Sequence, residues 1–195
     1  MYRRIISTII AAVAITAVAA AQPRAIGLRL GPVAELSYQH TLPISDSFID
    51  AALGLDYVGQ PGFKGTATWN FIVGDPAWSV RGQWAAFAGA GLSIGYVNDQ
   101  VNYSFIDDVN KVVIDKRINE IGVMAGIALQ AGIEYTFWFP LQLSIDLRPI
   151  VGIHFAKRTN RFHSDGHLYK ANSSANFYQD GFYGLIPTLS ARYAF

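Results

Sequence analysis

Cysteine is absent from the 195-residue chain, which excludes disulfide bridges, thiolate metal sites and a lipid-bearing cysteine. Charge is also sparse. Only 15% of the residues are Asp, Glu, Lys or Arg, the net charge is +1 and no basic cluster occurs, so nucleic acid is not expected as a partner. Beyond residue 21 there is no long apolar run, although a spanning helix needs about 20 such residues. No Walker pattern, Gly-rich phosphate loop or dinucleotide fingerprint is present; the G-A-G stretch at Gly89 to Gly91 lies in an alternating segment and opens no helix. No cofactor is therefore expected.

What remains is apolar without being helical. The chain is 51% hydrophobic and holds 18 glycines, too apolar for an ordinary soluble surface. Its one continuous apolar run, Ile5 to Ala21, follows Arg3 and Arg4 and ends in Ala19, Ala20 and Ala21 before Gln22 and Pro23. This has the form of a cleavable secretory signal over residues 1–21, with a single domain over 22–195. The competing reading, a spanning helix, suffers from a run that is short and rich in alanine. In a bilayer every backbone N–H and C=O must be paired within the protein, so a chain without spanning helices crosses only as a closed β-barrel.

Period-two alternation supports that architecture. At the C-terminus Tyr183, Leu185, Pro187, Leu189, Ala191, Tyr193 and Phe195 oppose Gly184, Ile186, Thr188, Ser190, Arg192 and Ala194. From 141 to 155, Leu141, Leu143, Ile145, Leu147, Pro149, Val151, Ile153 and Phe155 oppose Gln142, Ser144, Asp146, Arg148, Ile150, Gly152 and His154. Residues 119–137 and 83–97 repeat the pattern, joined to their neighbours by a tight turn at Trp138 to Pro140 in one case and by a long connection, 98–118, in the other. Residues 48–58 and 65–73 are shorter versions. Inward glycines such as Gly89, Gly91 and Gly95 suit a narrow barrel where backbones crowd.

Loop lengths set the count. In bacterial barrels the long loops lie outside and the turns facing the periplasm are short. The long connections here are 98–118 and 156–180, and the alternation with short turns is consistent if 24–30 and the segment from Glu35 are separate strands around Gly31 and Pro32. That gives an eight-stranded, antiparallel, up-and-down barrel. The alternative is one strand from Arg24 to His40, bulged at Pro32, with a further strand inside a long loop at 111–118. Eight strands enclose an interior just wide enough for side chains. The inward positions hold Arg29, Glu35, Asp50, Asp56, Glu134, Asp146, Arg148, His154 and Arg192, which in so narrow a space are expected to pair into a polar network. Such a lumen would not form a large pore.

The leader, the alternating strands and the terminal R-Y-A-F resemble the small eight-stranded outer-membrane proteins of the OmpA transmembrane-domain and OmpX type. The segments A-I-G-L-R-L-G, E-L-S-Y-Q-H, G-I-E-Y-T-F and P-L-Q-L-S-I-D-L-R-P further resemble a group of small outer-membrane barrel proteins without assigned activity. The resemblance covers nearly the whole of 22–195. It implies residence in the outer membrane of a Gram-negative bacterium, contact with outer-membrane lipid and lipopolysaccharide, and an insertion signal at Leu189, Tyr193 and Phe195 read by the outer-membrane assembly machinery.

Candidate chemistry is thin. His163, Ser164, Asp165 and His167 form an H-S-D-G-H cluster in the second long loop, where an imidazole beside a hydroxyl and a carboxylate offers a base and a nucleophile. Small barrels that acylate or deacylate lipid A use His and Ser at the membrane rim, so a lipid-modifying enzyme is the rival reading. Ser, Asp, Gly and His are also ordinary loop residues. Metal binding by His163 and His167, or by Asp107 and Asp108, has no ligand geometry behind it. Lys157, Arg158 and Arg161 follow a strand end where lipopolysaccharide phosphates would lie. Trp69, Trp84, Trp138, Tyr57, Tyr96, Tyr135, Tyr193 and Phe195 fall near strand ends, as interfacial rings do. The expectation is a non-enzymatic barrel with a structural or surface-interaction role through its long loops; a narrow channel or small apolar-ligand transporter is a third possibility.

Overall fold

The computed structural model describes residues 23–31, 33–43, 46–56, 62–106, 113–155, 159–164, 167–172, 176–180 and 187–195. Every regular element among them is a strand: β1 (Pro23–Leu30), β2 (Ala34–Leu42), β3 (Ser47–Asp56), β4 (Gly62–Gly74), β5 (Gln83–Ile106), β6 (Val113–Thr136), β7 (Gln142–Leu147), β8 (Ile150–Phe155), β9 (Thr159–Ser164), β10 (His167–Asn172), β11 (Asn176–Asp180) and β12 (Thr188–Ala194). All pairings are antiparallel between sequence neighbours around the wall, and β1 pairs with β12 through Leu28↔Ala191 and Arg29↔Ser190. The sheet therefore closes. Its staves are β1 to β6, then β7 with β8, then β11 with β12, which makes eight. Closure through β1 and β12 gives every stave a neighbour on both sides, while the β11 segment pairs with β8 alone among the described residues.

Alternation along each stave sorts the side chains. Leu28, Leu36, Leu53, Leu92, Ile94, Ile127 and Leu189 are exposed on the outer face, while Arg29, Ser37, Asp50, Thr68, Gln130, Asp146 and Arg192 are buried inside. Inverting the usual rule in this way is what a wall needs when its outer solvent is apolar. Separate strands β1 and β2 agree with the layout that divides the chain near Gly31. The turn after β6 closes through Phe137 N–H donating to Leu141 O at 2.9 Å.

Several boundaries differ from those expected. Residues 98–118 are not a long loop: β5 runs to Ile106 and β6 starts at Val113. Among the described residues, β5 beyond Tyr96 and β6 before Val123 pair only with each other. The hairpin thus projects from one rim by about 30 Å at about 3.3 Å per residue. The alternation persists here but its phase reverses: Leu92, Ile94 and Tyr96 are followed by Val101, Tyr103 and Phe105. A search for apolar residues on one continuous parity ends at the reversal. The 156–180 connection is also partly ordered into strands, with β9 and β10 paired as a hairpin and β11 returning to the wall. The stave expected as one strand over 141–155 is interrupted at Arg148 and Pro149, where a proline cannot donate to the ladder. The signal segment 1–21, Tyr57, Asp107, Asp108, Lys157, Arg158 and Asp165 lie outside the described residues.

Candidate functional site

The interior is filled at three heights. At the rim where β1 begins and β12 ends, Phe48 and Phe87 meet edge to face at 5.5 Å, and both are fully buried. The Arg24 guanidinium stands 4.2 Å over the Phe48 ring and pairs with Glu134. Cation–π and ionic contacts together hold this long side chain across the mouth.

Above it lies an ionic lattice centred on Asp50. Arg29 donates from Nη2 to Asp50 Oδ2 at 2.5 Å, and Arg192 Nη2 stands 3.4 Å from the same oxygen. Ser37 Oγ donates to Asp50 Oδ1 at 3.0 Å. Arg29 also lies 3.5 Å from Glu35 and 3.5 Å from Asp146, so one guanidinium faces three carboxylates. Glu35 in turn pairs with Arg148. Cation and anion therefore alternate along Arg192, Asp50, Arg29, Glu35 and Arg148. Arg24, Arg29, Arg148 and Arg192 equal Glu35, Asp50, Glu134 and Asp146 in number, so these charges are held as pairs, which lowers their cost in a narrow interior; Lys64 is a further buried cation outside this set.

Neutral groups knit the lattice to the wall. Gln130 Nε2 reaches Asp50 Oδ2 at 3.4 Å and Asp146 Oδ1 at 3.3 Å, while its Oε1 accepts from Thr68 at 2.5 Å and Asn70 at 3.2 Å. Thr188 Oγ1 donates to Asp146 Oδ1 at 2.9 Å. Arg192 donates to Ser37 at 2.9 Å, Ser144 at 2.8 Å and Ser190 at 3.1 Å. Room for these groups comes from glycine on facing strands. A methyl at Gly132 would sit 2.5 Å from Asp146 Cβ and 2.6 Å from Ile145 O, so only glycine lets β6 and β7 close at this height.

Toward the opposite rim the lumen turns apolar. Val97, Met124, Ala128, Ile150 and Tyr178 form one buried cluster, beside which the fully buried His154 faces the Val97 carbonyl through Nε2 at 3.1 Å. His154 is thus set among apolar residues and a backbone carbonyl, away from Asp146 and Glu134, whose contacts are with arginine, glutamine and threonine. An acid–base pairing of His154 with either carboxylate is not formed.

The nine inward residues named from the alternation divide accordingly. Arg29, Glu35, Asp50, Asp146, Arg148 and Arg192 meet in one lattice. Glu134 sits lower, with Arg24. His154 sits higher, and Asp56 ends β3 with its side chain outside the described set. Arg24 escaped the alternation because its parity matches the outward Ile26 and Leu28. A register shift between Pro23 and Ala25 breaks that parity and lets the side chain turn inward. Phe87 was legible as a ring on the same parity as Gly89 and Gly91, and Lys64 as a cation opposite the exposed Phe63; both are buried.

The H-S-D-G-H cluster is divided between β9 and β10, whose register sets His167 opposite Ser164 and Leu168 opposite His163; Arg161 also lies in β9. The side chains of these residues are outside the described set. Among the described residues no group of three or more His, Cys, Asp or Glu is arranged to hold a metal ion. Leu189, Tyr193 and Phe195 are exposed on the outer face, with the last two rings 5.4 Å apart. Comparison of the chain with protein-family models, with curated proteins and with solved structures returned no match.

Proposed function

We propose that this chain is an integral outer-membrane β-barrel protein with a structural or surface-interaction role, and neither an enzyme nor a diffusion pore. The observation that carries this reading is the inversion of the wall: an apolar outer face closed around an interior filled by side chains and a lattice of paired charges. An aqueous setting would leave the exposed large apolar side chains of every stave in water. A bilayer gives them their solvent and sequesters the lattice. The likeness to OmpA-type and OmpX-type barrels supports the outer membrane as the address. In this reading Leu189, Tyr193 and Phe195 serve as the assembly signal, and Lys157, Arg158 and Arg161 meet lipopolysaccharide phosphates. The surface role falls to the projecting β5–β6 hairpin and the β9–β10 hairpin.

Expression of the full chain in a Gram-negative host, followed by membrane fractionation and a gel with and without boiling, tests the proposal. Recovery in the outer-membrane fraction with a boiling-dependent change in mobility is expected. Recovery as a soluble protein, or a helical circular-dichroism spectrum, would overturn it. A change in lipid A mass that depends on the chain and disappears in His163→Ala would replace it with the lipid-modifying reading.

A further inference from the structure

At the rim where β1 begins and β12 ends, the lumen opens into a cavity of about 170 Å³. Ala85 lines it, and Phe87, next on the same face of β5, packs against Phe48 and closes the way further in. A solute that enters can stay but cannot pass. The β2–β3 turn is fixed against β4 by Ile72 N–H, which donates to Asp46 O at 2.9 Å. This holds Asp46 at the cavity that Glu134 lines from β6.

Two carboxylates and one cation line the cavity: Asp46, Glu134 and Arg24. The guanidinium is already committed, to Glu134 Oε1 and to the face of the Phe48 ring. That pairing occupies one carboxylate oxygen. Glu134 is 1% exposed, yet its Oε2 has no hydrogen-bond partner among the described residues. The fully buried Gln39 approaches the same carboxylate without closing a hydrogen bond, and neither of its amide atoms has a partner among the described residues. A buried acceptor left bare costs about 1–3 kcal/mol, and more when it is charged. The oxygen calls for a donor that enters from outside the chain.

We infer that this cavity binds a primary ammonium group on a short alkyl stem. The charge count selects a single positive charge: Arg24 and one guest cation balance Asp46 and Glu134, whereas a divalent metal ion beside Arg24 would leave the site positive. The oxygens select the donor. An ammonium carries three N–H donors and no acceptor, and Glu134 Oε2, the Asp46 carboxylate and the hydroxyls of Thr41 and Thr136 are acceptors along its wall. Ile72 and Ala85 offer the stem an apolar side. Since one water takes up about 30 Å³ of liquid, the space suits a guest of a few heavy atoms, ethylamine or ethanolamine in size. A phospholipid ethanolamine headgroup presents the same group and is the second source. The site goes beyond the membrane reading and does not depend on it.

Amide NMR of full-length protein refolded into phosphatidylcholine nanodiscs tests the site. Titration with ethylammonium chloride, against sodium chloride at equal ionic strength, is expected to move the Gln39 side-chain amide and the backbone amides of Ser47 and Thr136 saturably, with half-saturation at about 1 mM or above for so small a guest. Tetramethylammonium, which has the charge without an N–H, is expected to leave them in place. Asp46→Asn, on the exposed turn, is expected to raise half-saturation about threefold, and Glu134→Gln about tenfold or more, with the boiling-dependent gel shift confirming that each variant folds. Nanodiscs of phosphatidylethanolamine separate the two sources: signals already at the bound position without added amine assign the headgroup, and signals at the free position assign a soluble amine. Equal shifts with sodium or tetramethylammonium would overturn the ammonium assignment. Unchanged half-saturation in Asp46→Asn and in folded Glu134→Gln, or no saturable shift in either lipid, would overturn the site.

Discussion

Asp50, on β3, draws on β1, β2, β6 and β12 at once, because Arg29, Ser37, Gln130 and Arg192 all reach its carboxylate. Asp50→Ala would leave two buried guanidinium groups short of a partner, and removal of one member of a buried ion pair costs about 3–5 kcal/mol. The expected outcome is a fall of that size in urea-unfolding stability for protein refolded in vesicles. Arg148→Met should cost less, about 1.5–3 kcal/mol for the lost charged hydrogen bond, since Glu35 keeps Arg29. A larger loss at Arg148 than at Asp50 would displace Asp50 from the centre of the lattice. The parity of the strands was enough to name most of these charges as inward. It was not enough to pair them, because an ion pair such as Arg148 with Glu35 joins staves far apart in sequence, and parity failed for Arg24, where the register shift near Pro23 turns the chain.

At the level of elements, the contrast lies within β5. Ala86 to Ile94 are bonded to β4 on one side and β6 on the other, whereas Asn98 to Ile106 are bonded, among the described residues, to β6 alone. Amide hydrogen exchange is expected to be markedly slower over the first segment than the second, because a two-stranded ribbon lacks the flanking ladder that makes opening costly. Equal protection would mean that another partner covers the ribbon. Removing 101–118 and rejoining the ends through Asn-Gly is expected to leave the boiling-dependent gel shift intact, as the closed wall does not use those residues. Strand positions in the wall were legible from apolar residues on one parity. The projecting hairpin was not, since its alternation continues with the phase reversed, and a turn-rich composition such as V-N-D-Q-V-N suggests a loop when no pairing partner is visible.

For the molecule as a whole, the proposed lipid setting of the outer face makes a sharp demand. Leu92 lies midway along the belt, 70% exposed, and Leu92→Arg is expected to cost about 2–4 kcal/mol in a bilayer, read by urea unfolding from vesicles. A neutral effect would argue against lipid at that position. With Phe48 and Phe87, the ionic lattice and the Met124 cluster stacked along the axis, planar-bilayer recording is expected to show no steady conductance, and a reproducible open level would overturn the filled lumen. An all-strand architecture and the division of side chains between two faces follow from the sequence by itself, because a period of two is a local property of the chain. Only the tertiary structure decided that the sheet closes through β1 and β12, that the charges pair as a lattice with Asp50 at its centre, and that β5 and β6 outrun the wall. Each of these depends on which stave lies beside which, and the alternation of a single strand is the same whatever its neighbour.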